Sequence, residues 1–383
     1  MQNKRNKIAL LLNAFWNNGK GMSGGDWMLI QIFKRIQPDF QEVFCYTSSD
    51  GRTVIEKDVM NIKFKITSSK SRKIPLIIEY ILRTLRALDI LKTRDLDIMY
   101  GGSDFFPDVV PAFFYKISNP KVRWFNCVFH VYTDWRKRPG SKVRNLVAQY
   151  LQKISFIFLK KADVIITINT QTRNELEALG FDKERLVINT PGIDTNYFES
   201  LNTDEATKKY HGSFLARLHP TKGIFDLVEI WGDVVKHIPD AKLAVIGGGG
   251  EEILCQLKER VAEAGLGNNI DILGFLENDE SFSIIKNSDV FLFPSHEEGF
   301  GIVIAEAMAC GTPVVCWDLP VYEELFEKHP VKIIENEIEE FSKNILKIIE
   351  KKPLERIESA KTFTKKYSWD NIAKRHIEIL TNL

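Results

Sequence analysis

Short apolar runs rich in Ile, Val and Phe alternate along the chain with segments of helical period, and the alternation occurs twice. Strands covered on both faces read as near-continuous apolar runs. Strands separated by helix-length segments are joined by crossovers, so the pattern predicts mostly parallel sheets flanked by helices. In the first half the strand candidates are KIALLLN, EVFCYT, LDIMYG, RWFNCVFH, DVIITIN and RLVINT. In the second half they are FLARL, AKLAVIG, NIDILG, VFLFPS and TPVVCW. Between the two sets, NTPGIDTNYFESLNTDEATKK combines a Pro-Gly pair with a polar run and reads as a linker. At 383 residues the chain exceeds one ordinary core. The expectation is an α/β protein of two Rossmann-like domains facing a central cleft, with ligands at the carboxyl ends of the strands.

Charge divides along the same line. Residues 1–200 hold 31 Lys and Arg against 20 Asp and Glu, and residues 201–383 hold 21 against 31. A basic half points to an anionic surface or ligand, whereas a whole-chain net charge of +1 argues against a general nucleic-acid binder. The five cysteines are odd in number, widely spread and mostly inside apolar runs, with no CxxC pair, which fits buried reduced thiols in a cytoplasmic protein. The N-terminal KRNKIALLLNAFW faintly imitates a secretory signal. The polar NNGKG that follows makes it a first strand, and no later apolar run reaches membrane-spanning length.

The stretch SHEEGFGIVIAEAMACGTPVV carries two glutamates eight positions apart. VFLFPS ends as a strand at Ser295, so 296–301 is the loop leaving the sheet, and IVIAEAMAC reads as a helix stopped by Gly-Thr-Pro. Glu298 then precedes the helix and Glu306 lies within it. The first helical amides, around Phe300, Gly301, Ile302 and Val303, suit a phosphate, and each carboxylate can accept hydroxyl hydrogen bonds from a sugar diol. Acidic residues near a helix start also serve as ordinary partners of the helix dipole, and spacing alone leaves both readings open. In LAVIGGGGEE no frame gives GxGxxG, and by itself the glycine run reads as a tight strand-to-helix turn.

The string EGFGIVIAEAMACGTPVV closely resembles the EX7E motif of retaining GT-B glycosyltransferases of family 4, the glycosyl transferases group 1, and the resemblance spans nearly the whole chain. It implies a GT-B fold. The N-terminal acceptor-binding domain would span 1–195, the donor-binding domain 205–366, and a closing helix, 367–383, would pack back on the first domain. It implies that Glu298 binds hydroxyls of the donor sugar and faces its anomeric carbon, that Glu306 holds the ribose, and that backbone from Phe300 to Val303 approaches the sugar and diphosphate. LARLHPTKGIFDLVE is similar to the family's Gly-Arg-Leu…Lys-Gly segment, with Ala216 in place of glycine, and carries a diphosphate clamp over to Arg217 and Lys222. Gly247 falls on the family's nucleotide-cleft glycines, and Gly24 and Gly25 on a loop where acceptor and phosphate approach backbone amides. His130, at a strand end, matches a histidine beside the reaction centre; Asp134 is a weaker candidate, and Glu297 reads as replaceable.

The function so implied is retaining, metal-independent transfer of a hexosyl unit from a UDP- or GDP-linked sugar to a glycan or lipid-linked acceptor, with no cofactor beyond the donor. Cell-envelope or polysaccharide biosynthesis is the setting. The alternatives are a non-catalytic sugar-nucleotide-binding subunit and another GT-B enzyme such as a nucleotide-sugar epimerase. Residues 136–161 carry eight Lys and Arg and no acid, with Val143, Leu146, Val147, Tyr150, Leu151, Ile154 and Phe158 at helical spacing. Two readings stand: a core-packed helix with solvated charges, or peripheral docking on anionic membrane at the inner face.

Overall fold

The structure, a computed structural model, describes residues 5–14, 24–69, 76–132, 135–136, 142–201 and 210–382. It divides into two compact units, Met1–Pro191 with Trp369–Leu383, and Gly192–Ser368.

Among the described residues the first unit has seven strands, β1 (Arg5–Leu11), β2 (Phe40–Ser48), β3 (Ile62–Ser68), β4 (Ile98–Gly101), β5 (Arg123–Val128), β6 (Val164–Thr167) and β7 (Leu186–Ile188). Its helices are α1 (Gly24–Ile36), α2 (Ser49–Asp58), α3 (Leu76–Ala87), α4 (Phe106–Ser118), α5 (Lys142–Leu159) and α6 (Thr170–Ala178). The sheet is parallel in the order β3-β2-β1-β4-β5-β6-β7, so the winding direction reverses at β1. β1 shows why such runs are apolar throughout. Ile8 and Leu10 enter one core, with residues of α1, and Ala9 and Leu11 enter the other, with residues of α4, α5 and α6.

The second unit begins with α7 (Thr195–Ser200) and among the described residues has six parallel strands, β8 (Gly212–Leu215), β9 (Leu243–Ile246), β10 (Ile270–Gly274), β11 (Val290–Phe293), β12 (Val314–Trp317) and β13 (Val331–Ile333). Their order is β10-β9-β8-β11-β12-β13, with the reversal at β8. Between and after them lie α8 (Asp226–His237), α9 (Glu251–Glu263), α10 (Asn278–Lys286), α11 (Ile302–Cys310), α12 (Pro320–Phe326), α13 (Ile338–Glu350) and α14 (Leu354–Thr364). A large core holds most of the unit, with Trp231, Trp317, Phe291 and Phe326 among its fully buried side chains, and a smaller cluster gathers Tyr210, Ala244, Ile246 and Ile284.

Two strands escape the sequence pattern, and both are edge strands. β3 reads IKFKITS, with its lysines exposed, and β13 has three residues. An edge strand need not be apolar on both faces, so it lacks the signal that reveals a central one. β8 also ends at Leu215 rather than running to Leu218, which leaves Arg217 on the loop. Gly24 and Gly25 form the first turn of α1 itself, not a loop before it.

The chain closes with α15 (Trp369–Asn382), which packs on α1 in the first unit. Its His376 is buried between the rings of Phe33 and Tyr100, and Nδ1 lies 2.9 Å from Nδ2 of Asn189. Burial pushes this imidazole down to about 3, so the folded chain keeps it neutral. Below the ordinary histidine value near 6.5 the unfolded chain takes up a proton that the folded one refuses, and stability falls with pH from there toward 3. Chemical denaturation at pH 7 and pH 4.5 is expected to show a smaller acid loss for His376→Gln than for the native chain, by about 1–2 kcal/mol.

Candidate functional site

In the second unit the candidate residues gather at the carboxyl ends of the adjacent strands β9, β8 and β11, on both sides of the reversal, where open α/β sheets bind ligands. After β8 the chain turns at Pro220–Lys222 and closes on Gly223 at φ 69°. A Cβ on Gly223 would stand 1.8 Å from the carbonyl oxygen of Pro294, so the turn lies directly on the backbone leaving β11. His296 N donates to Thr221 O at 2.9 Å, and Ser295 Oγ reaches the same oxygen at 3.2 Å. Gly247, at φ 142°, approaches the backbone of Ala216 just as closely.

These contacts bring the two loops' charged side chains together. Lys222 Nζ lies 2.5 Å from Glu298 Oε1 and donates to Glu297 O at 3.2 Å; Ser295 Oγ donates to Glu298 Oε1 at 2.9 Å. Arg217 is exposed on the loop after β8. Phe300 is buried, its ring edge-on to Phe326 and Tyr367, so only its backbone is available to a ligand. Gly301 takes the left-handed conformation at φ 79° and starts α11 without a side-chain cap. The first amides of α11, at Ile302 and Val303, therefore have no partner from the turn before them. Apart from Glu306, α11 is apolar, and six of its nine residues are buried, so this end is rigidly held.

Glu306 sits one turn into α11, half-buried, and its carboxyl makes no hydrogen bond with any described residue. Burial pushes it up to about 7. The two motif glutamates thus differ: Glu298 is already paired, and Glu306 is not.

Sequence reasoning overlooked a third element. His296, beside Glu298, places Nε2 3.0 Å from Asp226 Oδ2 and Nδ1 against Glu335 Oε1. Trp317 Nε1 donates to the same Asp226 oxygen at 3.1 Å. The hydrogen bond to Asp226, with further support from Glu335, pushes the imidazole up to about 9. The signal lay in the motif itself, where a titratable side chain two positions before Glu298 needed partners that only the fold could supply.

In the first unit His130 is half-buried two residues beyond β5. Its carbonyl accepts from Gln152 Nε2 at 2.8 Å, and its ring packs edge-on to Tyr132. Gln152, on α5, also accepts from Tyr132 N at 2.7 Å and donates to Asp104 Oδ2 at 2.7 Å. A Cβ on Gly25 would meet the Phe129 ring at 2.9 Å, so the first turn of α1 lies against the segment that carries His130. Gly24 is exposed beside it. Asp134 lies outside the described residues. A surface cavity among Gly311, His329 and Arg356, at the far end of α11, contains none of these residues. Among the described residues no group of three or more His, Cys, Asp or Glu side chains is placed to hold a metal ion.

Two doubly wound parallel units with this strand-end constellation define the GT-B class of glycosyltransferase. The chain belongs to the group 1, family 4 glycosyltransferases: residues 198–367 match the family described as Glycosyl transferases group 1, and residues 25–197 match Glycosyltransferase Family 4. An uncharacterised glycosyltransferase of Methanocaldococcus jannaschii is 25% identical over 76% of this chain and 76% of its own length. The O-antigen chain mannosyltransferase B of Escherichia coli is 24% identical over 64% of this chain and 66% of its own. Across eight of the curated relatives the matched stretch spans from 28% to 76% of their own length. Among solved structures, Anabaena HepE in complex with UDP-glucose shares the fold with a TM-score of 0.75 at 18% identity, over 99% of this chain and 100% of that one.

Two variants check the geometry. Gly223→Ala adds a Cβ that collides with backbone at a left-handed position, and is expected to lower stability by about 2–4 kcal/mol in denaturant titration. His296→Gln removes a raised base, whose stabilisation is full below about 6.5 and lost as pH rises through about 9. Its melting temperature should therefore fall well below the native value at pH 6 and approach it at pH 10.

Proposed function

We propose that this glycosyltransferase moves a hexosyl unit from a UDP- or GDP-linked sugar to a glycan or lipid-linked acceptor, with retention at the anomeric carbon and without a metal. The observation that carries this reading is the pairing of Lys222 with Glu298 beside the uncapped start of α11, one turn from the unpartnered Glu306. A diphosphate set against the amides of Ile302 and Val303 meets a helix terminus on one side and Lys222 and Arg217 on the other. Those cations and amides offset charge that grows on the departing diphosphate.

The ion pair adds a step. Lys222 cannot keep Glu298 at 2.5 Å and also serve a diphosphate fully. Drawing the ammonium toward phosphate releases Glu298 Oε1 for the sugar hydroxyls, with Ser295 still holding the carboxylate in place. Glu306 receives the ribose diol, and Gly247 leaves room for the nucleotide at the end of β9. In the first unit, His130 serves the donor sugar or the reacting groups, and the Gly24–Gly25 turn offers backbone to the acceptor and phosphate. Retention then follows a front-face displacement in which the leaving phosphate oxygen takes the acceptor's proton, and Glu298 forms no covalent bond to the sugar. Relatives that include a poly(glycerol-phosphate) alpha-glucosyltransferase of Bacillus subtilis and the O-antigen chain mannosyltransferase B support a cell-envelope setting at the inner membrane face.

A thermal-shift panel of nucleotide sugars tests the donor class: a UDP- or GDP-linked sugar should raise the melting temperature, and no shift from any of them would sink the reading. Glu298→Gln and Lys222→Ala should each cut transfer by about 10²-fold or more while the fold persists. Full activity in either variant would remove the assignment. Hydroxyl donors favour the ionised Glu306, so nucleotide affinity measured by calorimetry should rise with pH and level off above about 7. Glu306→Gln should abolish that part of the pH dependence.

A further inference from the structure

One helix layer of the first unit is built inside out. On α3 the pair Glu79 and Arg83 is buried, with side chains 6% and 5% exposed and Nε 2.9 Å from Oε1. On the same helix Ile78, Ile81 and Leu85 stand 47%, 54% and 59% exposed. On α5, Gln152 and Ser155 are buried, while Val143, Val147, Tyr150, Ile154 and Ile157 are between 37% and 71% exposed. Their spacing of four, three, four and three residues aligns them in a single stripe along the helix. Of the apolar residues at helical spacing in this segment, Val143, Val147, Tyr150 and Ile154 therefore face outward, whereas Phe158 packs on the core beside Phe156 and Leu159.

α4 packs against both α3 and α5 and adds Phe114 and Ile117. Of the 18 large hydrophobic side chains exposed among the described residues, 11 lie on α3, α4, α5 and the turn Leu88–Lys92, against three in the whole second unit. Surface hydrophobics scattered singly need no explanation, but a concentration on one layer does.

Charge identifies what covers it. Residues 136–161 contain eight basic and no acidic residues, and Lys142, Lys153, Lys160 and Lys161 are all exposed. A two-fold interface with a second copy would set this rim against itself, with no acid in the segment to compensate. An anionic lipid surface complements both features: the apolar stripe enters the acyl boundary while the lysines meet headgroups. α5 is also tied to the candidate site, because its Gln152 holds the backbone of His130 and Tyr132. Its first turn follows the carboxyl end of β5, the strand that leads into His130.

We propose that the outer surface of α3, α4 and α5 docks on anionic lipid and so presents the carboxyl edge of the seven-stranded sheet to an acceptor held in that surface. The second clause rests on the transfer reading above; the docking itself does not.

The full chain, sedimented with vesicles of phosphatidylcholine mixed with phosphatidylglycerol and with vesicles of phosphatidylcholine alone, tests this. Binding is expected to the anionic vesicles only and to weaken with salt. Ile154→Glu with Ile157→Glu, and separately Lys153→Glu with Lys161→Glu, should each reduce it about tenfold or more, with an unchanged melting temperature. Absence of binding by the native chain, equal binding to both vesicle types, or undiminished binding by the variants would overturn the proposal. So would a native dimer in light scattering that the isoleucine variant splits, which would assign the face to a second copy. Nucleotide-sugar thermal shifts on the same variants report the donor site separately, so loss of docking and failure of the transfer reading remain distinguishable.

Discussion

In the second unit the candidate site depends on a backbone contact that leaves no room for a side chain. Gly223 closes the turn after β8 in a left-handed conformation, against the carbonyl of Pro294 at the end of β11. Two strand ends are thereby locked at one spacing, and the hydrogen bond from His296 N to Thr221 O secures it. The Lys222–Glu298 distance follows from that lock. So does the work of His296, whose ring spans Asp226 at the start of α8 and Glu335 beyond β13 and ties the motif loop to two other elements. Without the glycine the loops must separate, and the charged pair separates with them.

The two motif glutamates illustrate how burial and partners set chemical state. Glu298 has a cation and a hydroxyl beside it, whereas Glu306 sits in an apolar helix with no hydrogen-bond partner among the described residues. An unpartnered, half-buried carboxyl is costly to charge, and its proton affinity rises accordingly. Such a group is retained at a cost in stability, and a ligand rich in hydroxyls is the partner that would recover it.

In the first unit polar groups are gathered inside rather than excluded. Asp108, at the start of α4, accepts from the amides of Asn13 and Ala14 and from Ser103 Oγ. Arg83 donates to Asn13 O while pairing with Glu79, and Gln152 bridges Asp104 to the His130 segment. These buried networks lie where β1, β4 and β5 end, so they fix the strand-end backbone that a ligand would meet. They also occupy the inner faces of α3 and α5, which sends part of each helix's apolar residues outward.

Read alone, the sequence settled the class of fold, because strands buried on both faces must be apolar runs and helices between them must be periodic. It also isolated the two glutamates, since a helix start after a Gly-Phe-Gly turn is a local property. The edge strands β3 and β13 were hidden because an edge strand escapes that requirement. Tertiary structure alone decided that Lys222, 76 residues from Glu298, is its partner, that His296 is clamped between Asp226 and Glu335, and that the stripe on α5 faces outward. Periodicity identifies an apolar face but not its neighbour, and an ion pair between distant residues exists only once two loops have been brought to the same sheet edge.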